Sequence, residues 1–320
     1  MLDIDRRFNR LVLIVILMAI FAAPLAVLPL CADGNKPQKQ YQSADGGETA
    51  SVVNKQTVTP DAAKEQRRPN FVIIMADDLG YGDVGTFGGW IETPALDRMA
   101  RQGLMFTDFH SSGNVCSPTR AGLLTGRYQQ RAGVPGVIYA NPDLPVHHTG
   151  LNVSEVTFAE LLKESGYATA IAGKWHLGYD KKFNPIHHGF DEFHGYVSGN
   201  VDYISHYDNT QAFDWWNGLE LQEEEGYSTH LITMHAIDFI KRNRERPFCV
   251  YVAQEAVHSP YQTPTDSPER GPDRQPPRKG DEAISEAYRV MMQEMDAGVG
   301  QILDTLIDLK LDKNTLVLFF

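Results

Sequence analysis

The chain has 320 residues, a hydrophobic fraction of 42%, a charged fraction of 22% and a formal net charge of −12. These values are typical of globular proteins and argue against nonspecific binding to nucleic acid. With only three cysteines in the sequence, a disulfide framework is not expected.

Residues 1–32 predict a signal peptide or a membrane anchor. Three arginines precede an apolar run from Leu11 to Leu30. Its first part has the length of a cleavable signal core, whereas the whole run approaches the length of a spanning helix. We favour cleavage near Ala32 over lipid attachment at Cys31, because the preceding Leu30 is bulkier than the small residue such lipid sites usually show. The prediction is therefore a periplasmic, extracellular or membrane-anchored protein.

Residues 33–68 are polar and contain few large apolar side chains. Such a segment cannot bury enough surface to offset the entropy of ordering, which predicts a disordered linker. The folded domain is expected to cover residues 69–320.

The domain begins with a predicted strand over residues 71–76, a continuous apolar run suited to burial on both faces. Asp77 and Asp78 follow directly. Adjacent carboxylates repel each other unless a cation lies between them, and ligands of open α/β sheets bind at this end of the strands. The pair therefore predicts a Ca²⁺ or Mg²⁺ site, with a helix cap or a turn as the alternative.

The next segments predict a helix from Pro94 to Gly103 and a strand over residues 104–109. Asn114–Arg127 follows and contains Cys116, Pro118 and Arg120. Proline is favoured in the first turn of a helix, so Cys116 is expected to face out beside a helix N-terminus, which is a favoured anion site. Arg120 can offer a planar set of donors to an oxyanion. A buried structural cysteine is the alternative.

Two later strands also end in polar residues. A helix beginning at Ser154 leads to a strand that ends at Lys174, and His176 would share a face with Lys174 if the chain stayed extended. The third strand, residues 248–253, holds Cys249 as a buried free thiol and is followed by His258. A solvated lysine, a packing histidine and an ordinary loop histidine are the alternatives.

The remaining segments complete the expected architecture. The composition of the aromatic and histidine-rich residues 185–206 predicts a substrate-facing loop. The proline-rich residues 259–280 predict a second loop, at the rim of the pocket. Apolar spacing predicts helices over residues 229–241 and 284–309, and a fourth strand covers residues 315–320.

Three motifs together resemble the type I, formylglycine-dependent sulfatases. They are Cys116-Ser-Pro-Thr-Arg followed by Leu-Thr-Gly-Arg, Asp77-Asp-Leu-Gly-Tyr-Gly, and Gly173-Lys-Trp-His-Leu-Gly. The aromatic and histidine-rich loop is similar to that of the arylsulfatase B-like branch. The resemblance implies an α/β fold like that of alkaline phosphatase and the sulfatases, with a mixed sheet and helices on both faces.

The resemblance also implies an activity, the hydrolysis of sulfate esters of small molecules or glycans. A sulfatase-maturing enzyme, such as a formylglycine-generating enzyme, would oxidise Cys116 to formylglycine, which attacks sulfur as its hydrate. Asp77, Asp78 and residue 116 would bind the metal. Arg120 would anchor the hydrate, Lys174 would bind sulfate, His176 would help to expel it, and His258 would protonate the leaving group.

The resemblance covers residues 69–320 and lacks the family's C-terminal part, in which an Asp-Asn pair reaches the metal. We therefore expect weak metal binding, poor solubility and negligible hydrolysis of an aryl sulfate from the chain as it stands, with activity returning when the missing part is restored. A phosphate or phosphonate monoester hydrolase of the same superfamily is the nearest alternative, and a non-catalytic fragment that binds sulfated glycans is the second.

Overall fold

The structure is a computed structural model that describes residues 68–320 apart from residues 273, 275 and 276. The predicted signal peptide or anchor and all of the predicted linker except Arg68 lie outside the described residues. Among the described residues, no helix is long and apolar enough to cross a membrane.

The described residues contain a mixed sheet of seven strands in the order β5-β4-β3-β2-β6-β1-β7. Strands β3, β2, β6, β1 and β7 run parallel to one another, and β4 and β5 extend the sheet antiparallel to their neighbours. The strands are β1 (Asn70–Met75), β2 (Ala168–Lys174), β3 (Glu192–Tyr196), β4 (Trp216–Asn217), β5 (Glu220–Leu221), β6 (Phe248–Ala253) and β7 (Thr315–Phe319).

Helices cover both faces of this sheet. They are α1 (Pro94–Gln102), α2 (Cys116–Thr125), α3 (Phe158–Glu164), α4 (Ser228–Arg242) and α5 (Asp281–Asp308). Successive residues of a strand point to opposite faces, and accordingly Val72 of β1 belongs to one core with α4 and α5 residues, whereas Ile73 belongs to a second core with α2 and α3 residues. The predicted fold class, a mixed sheet with helices on both faces, is confirmed.

The long apolar runs were predicted well. Strands β1, β2, β6 and β7 and helices α1, α4 and α5 lie within a few residues of their predicted bounds. Cys249 is a fully buried free thiol, as predicted, and burial raises its pKa.

Three local predictions are wrong. Residues 104–109 form no strand, and Leu104 is 80% exposed. The aromatic and histidine-rich segment is not a loop throughout, because it contains β3. The helix predicted from Ser154 begins at Phe158, since Thr157 caps it by accepting a hydrogen bond from the Glu160 amide while Glu160 bonds back to the Thr157 amide.

Candidate active site

The polar residues predicted from three separate motifs meet at the carboxyl ends of β1, β2 and β6. The register of the parallel strands places the end of β1 beside the end of β6, and β6 beside β2. Backbone hydrogen bonds continue past the strands, from the Asp77 amide to Ala256 O (3.0 Å) and from the Val257 amide to Asp77 O (2.8 Å). These bonds fix the Asp77 backbone against the segment that leads to His258.

Asp77 is the centre of a buried ionic cluster, which we define as Asp77, Arg120 and Lys174. Lys174 Nζ donates a hydrogen bond to Asp77 Oδ2, and Arg120 Nη2 lies 3.7 Å from the same oxygen. All three side chains are at least 95% buried. The two cations therefore provide the counter-charge that the sequence argument assigned to a metal ion alone.

The ionic cluster keeps Asp77 ionised despite its burial. Burial alone would raise the pKa of this carboxyl, but the charges of Lys174, Arg120 and His258 outweigh it and hold the pKa below its usual value. Two positive charges beside one negative charge leave the cluster with a net positive charge, which suits an anionic substrate group.

Arg120 lies in the first turns of α2, one helical turn after Cys116, which is the first residue of that helix. Its Nη1 donates to Lys174 O at 2.8 Å and to the Tyr251 hydroxyl at 3.2 Å. Burial opposes its charge, but Tyr251, Asp77 and Cys116 raise its pKa. Among the described residues, the buried Arg120 Nε has no hydrogen-bond partner, so one donor remains for a group bound in the site.

His176 is brought into the site by a turn and not by an extended strand. Strand β2 ends at Lys174, and His176 has a φ of +52°, so the prediction that the two side chains share a strand face is wrong. Gly199 packs on the His176 ring, since a Cβ there would lie 2.9 Å from Cε1. A larger residue at position 199 would displace the ring.

The hydrogen bonds of His176 indicate which nitrogen is free to accept. Nε2 lies 2.8 Å from Ile138 O, and because a carbonyl oxygen only accepts, Nε2 carries the hydrogen. Nδ1 is buried and has no partner among the described residues. Burial first, and then the charge of Lys174, lower the pKa of His176 well below its usual value. His176 is thus a neutral imidazole with one free acceptor atom.

Asp78 and His258 form the exposed rim of the site. The Asp78 side chain is 66% exposed, and its Oδ2 lies 3.5 Å from His258 Nε2. His258 Nδ1 donates to Ser259 O at 2.7 Å. Asn200 Nδ2 also donates to Ser259 O, at 3.0 Å, and lies 3.2 Å from His258 Nδ1. Arg270 Nη1 donates to Asn200 Oδ1 at 2.9 Å and fixes the Asn200 amide.

Sequence reasoning missed Gly199, Asn200, Arg270 and Tyr251. Asn200 and Arg270 are 70 positions apart in the chain, so no local spacing could link them. Gly199 and Asn200 follow β3, and assigning that strand would have placed both residues at the same sheet edge as the other site residues.

The site fits a metal ion in part. The contacts of the Asp77 carboxylate with other described side chains all involve Oδ2, which leaves Oδ1 for a cation, and Asp78 offers a second exposed carboxylate. Both are the hard oxygen donors that Ca²⁺ and Mg²⁺ prefer. Within residues 68–320 without 273, 275 and 276, however, no group of three or more His, Cys, Asp or Glu side chains is arranged to hold a metal. The two carboxylates would hold part of a coordination shell.

Two buried side-chain atoms of the site have no hydrogen-bond partner among the described residues and could bond to a hydroxyl group. Arg120 Nε is a free donor and His176 Nδ1 is a free acceptor, and a hydroxyl can accept from the first and donate to the second. Cys116 itself is half-buried and forms no disulfide with the other described cysteine, Cys249, so its sulfur is available for modification.

Comparison with known proteins agrees with these motifs. The sulfatase family model matches residues 69–320. The N-acetylgalactosamine-6-sulfatase of Homo sapiens is 38% identical over 270 residues, which are 78% of this chain and 49% of that protein. The corresponding enzyme of Canis lupus familiaris is 37% identical over 278 residues, 81% of this chain and 50% of that protein. The chain thus spans about half the length of these curated relatives.

A solved structure of similar fold is Ps i-CgsB in complex with k-i-k-neocarrahexaose. The two structures superpose with a TM-score of 0.67 at 27% sequence identity. The aligned region covers 79% of this chain and 58% of the Ps i-CgsB chain. The family match includes β1, β2 and β6 and every site residue described above. This chain belongs to the sulfatase family.

Proposed function

We propose that the protein hydrolyses sulfate esters, including those of sulfated glycans. The observation that carries the proposal is the buried ionic cluster, in which Lys174 and Arg120 converge on Asp77 beside the first residue of α2. Relatives named for the 6-sulfate of N-acetylgalactosamine and a neighbour crystallised with k-i-k-neocarrahexaose support a glycan as the carrier of the sulfate.

The proposed role of each side chain follows from its charge and its exposure to solvent. Lys174 and Arg120 would attract and orient the sulfate anion, because both are charged and shielded from water. His176, neutral and with Nδ1 free, would accept a proton from a hydroxyl in the site. His258 carries a hydrogen on Nδ1 and presents Nε2 at the rim, where a proton on Nε2 would reach a departing oxygen.

Two groups would complete the site. A formylglycine made from Cys116 would supply a hydrated aldehyde as the nucleophile. A Ca²⁺ or Mg²⁺ ion held by Asp77 and Asp78, and touched by residue 116, would supply charge stabilisation for the oxygens on sulfur. Its partners would be a sulfated small molecule or glycan and a sulfatase-maturing enzyme. Export guided by the N-terminal segment would place it in the periplasm, outside the cell or on a membrane.

A comparison of esters tests the proposal. The chain, extended to the full length of its curated relatives, is produced together with a formylglycine-generating enzyme. Peptide mass spectrometry reports the state of residue 116, and release of 4-nitrophenol is measured from 4-nitrophenyl sulfate and 4-nitrophenyl phosphate. We expect formylglycine at position 116 and faster turnover of the sulfate ester. Faster turnover of the phosphate ester would favour a phosphate monoester hydrolase instead.

The two described cysteines provide a matched control. Cys116→Ala removes the precursor of the nucleophile and should abolish turnover, whereas Cys249→Ala removes a buried thiol of β6, far from the site chemistry, and should retain it. Binding of N-acetylgalactosamine 6-sulfate without any sulfate release by the unsubstituted, matured protein would contradict hydrolysis and favour a glycan-binding protein.

A further inference from the structure

Trp90 differs from the other tryptophans of the chain. Trp175, Trp215 and Trp216 are at most 9% exposed, whereas Trp90 is 57% exposed. Large exposed aromatic side chains next to a groove often mark ligand-binding surfaces in soluble proteins. The question is whether this ring is held in place for binding or merely lies on the surface.

The Trp90 ring is fixed by two sets of contacts. Its Nε1 donates to Asp83 Oδ1 at 2.9 Å, and the other oxygen of Asp83 accepts from the Tyr288 hydroxyl at 2.8 Å. The Tyr288 ring stacks on Trp90 with a centroid distance of 6.4 Å and an interplanar angle of 15°. Tyr288 therefore packs along one side of the indole with an offset, and the part of the ring that remains exposed is held in a fixed orientation.

Two chain segments connect this ring to the candidate active site. Asp83 and Trp90 belong to the segment that follows Asp78 at the end of β1. On the other side, Tyr288 lies 6.3 Å from the ring of Tyr261, which follows His258 by three residues. A row of three aromatic rings thus leads from the loop that carries His258 to the exposed indole.

The groove beside Trp90 has a different charge from the ionic cluster. It has a volume of about 390 Å³ and is lined by Trp90, Glu92, Thr93 and Asp97. Its carboxylates would repel a sulfate group but accept hydrogen bonds from sugar hydroxyls. The C–H face of a pyranose ring is apolar and can pack on an aromatic face, so the groove suits a neutral sugar ring and not a sulfated one.

We propose that the exposed face of Trp90 binds a neutral pyranose ring of the oligosaccharide whose sulfated ring lies at the ionic cluster. The identity of the ligand rests on the proposed function. The subsite itself is separate, because Trp90 lies outside the three motifs that resemble the sulfatases. Trp90 would contribute to affinity for longer saccharides and not to the chemistry of sulfate release.

Fluorescence of the 320-residue chain tests this subsite without requiring turnover. Because the other three tryptophans are buried, acrylamide, a neutral quencher, should quench mainly Trp90. We expect tetra-N-acetylchitotetraose, a neutral tetrasaccharide, to protect against this quenching, and Trp90→Ala to remove the quenchable component. Free N-acetylgalactosamine should protect less, since one ring gains less contact area.

Affinity measurements on variants complete the test. Saturation-transfer NMR with the same tetrasaccharide should show Kd raised roughly 3- to 10-fold by Trp90→Ala, the range expected for losing one aromatic contact. Trp90→Phe keeps a ring and should lose less. Tyr128→Ala is the matched control, because Tyr128 is 74% exposed but lies beyond the end of α2 opposite to Cys116.

The outcomes separate this subsite from the proposed function. No protection of Trp90 by the tetrasaccharide, or equal Kd values for Trp90→Ala and Tyr128→Ala, would overturn the subsite, and sulfate release from 4-nitrophenyl sulfate would then leave the proposed hydrolysis standing. Protection of Trp90 without sulfate release by the matured protein would support the subsite and count against hydrolysis.

Discussion

Asp77 and Asp78 are neighbours in sequence with opposite environments. Asp77 is 4% exposed and faces two buried cations, whereas the Asp78 side chain is 66% exposed and its one ionic contact with a described residue is His258, at 3.5 Å. The chain turns between them, because Asp78 has a φ of +59°. Two identical residues at the end of one strand are therefore divided between the interior and the rim.

The difference indicates how the site is built. The buried carboxylate holds Lys174 and Arg120 in place without a bound ligand, which is the preorganisation that charge stabilisation in the proposed reaction requires. The exposed carboxylate has no cation from a lysine or arginine within 4 Å among the described residues, so it remains available to an incoming ion. Four predictions test whether this division holds, beginning with the largest effect.

Removing one charge from the buried cluster should destabilise the protein strongly. Lys174→Met should lower the free energy of unfolding by about 3–5 kcal/mol, because it leaves Asp77 buried with weaker compensation. Urea unfolding measures the change. Lys181→Met is the control, since Lys181 is 64% exposed and pairs with Glu220 at 3.7 Å, and such a surface pair contributes less than about 1 kcal/mol.

The double variant Asp77→Asn, Lys174→Met sharpens this prediction. If the cluster is a coupled unit, the double variant should lose less stability than the sum of the two single variants. Additive losses, or a loss from Lys174→Met as small as that from Lys181→Met, would show that the buried half of the site is not held together by its charges.

The pH dependence of stability should reveal a second buried acid on the same edge. Burial raises the pKa of Glu255 to about 8, although Val201 N–H and Ser228 Oγ–H donate to it. The folded state then keeps a proton that the unfolded state loses above its ordinary pKa of 4.5. Stability should therefore fall as pH rises from about 4.5 to about 8, by on the order of a few kcal/mol.

Asp77 should have the opposite effect at acidic pH. Its pKa is lowered in the folded state, so its contribution is present above the unfolded pKa and is lost as pH falls through the folded pKa. Urea unfolding of Glu255→Gln at several pH values separates the contributions of Glu255 and Asp77 to stability. This variant should lose the fall in stability between about pH 4.5 and about 8 but keep the fall at acidic pH. An unchanged decline would assign it to another group.

The positions of the buried site residues could be predicted from the sequence, whereas the arrangement of the rim residues could not. Strands β1, β2 and β6 are continuous apolar runs, so their carboxyl ends and the polar residues that follow could be placed. The left-handed turn at His176 was not predictable, because a positive φ is uncommon for any residue other than glycine and the contacts of the ring with Gly199 and with the Ile138 carbonyl are long-range.

Other failures have the same physical origin. Leu104 and Phe106 read as a strand by composition, yet a strand needs a partner, and the described residues provide none for this segment. Strands β4 and β5 have two residues each, which is too short for any period to be visible. Whether these segments form strands depends on hydrogen bonds to residues distant in the chain, whereas sequence patterns reflect mainly local interactions.

The rim depends on fewer contacts, so its variants should affect activity more than stability. Asn200→Ala removes the amide that lies between His258 and Arg270. If His258 donates a proton to the leaving group, turnover should fall by about tenfold for a sugar sulfate, equivalent to ~1.4 kcal/mol, and less for 4-nitrophenyl sulfate, whose leaving group needs no proton. Equal losses for both esters would indicate that Asn200 only maintains the loop.

The smallest effect on stability is expected at the exposed aspartate. Asp78→Asn should change the free energy of unfolding by less than about 0.5 kcal/mol, because the side chain is solvated and its single ionic contact is at 3.5 Å. Metal content should respond differently. Elemental analysis of protein purified without chelator should show less bound Ca²⁺ or Mg²⁺ than in the unsubstituted chain, since one of the two carboxylates proposed to bind the metal is lost. A large loss of stability with unchanged metal content would reverse the roles assigned to the two aspartates, making Asp78 the structural residue.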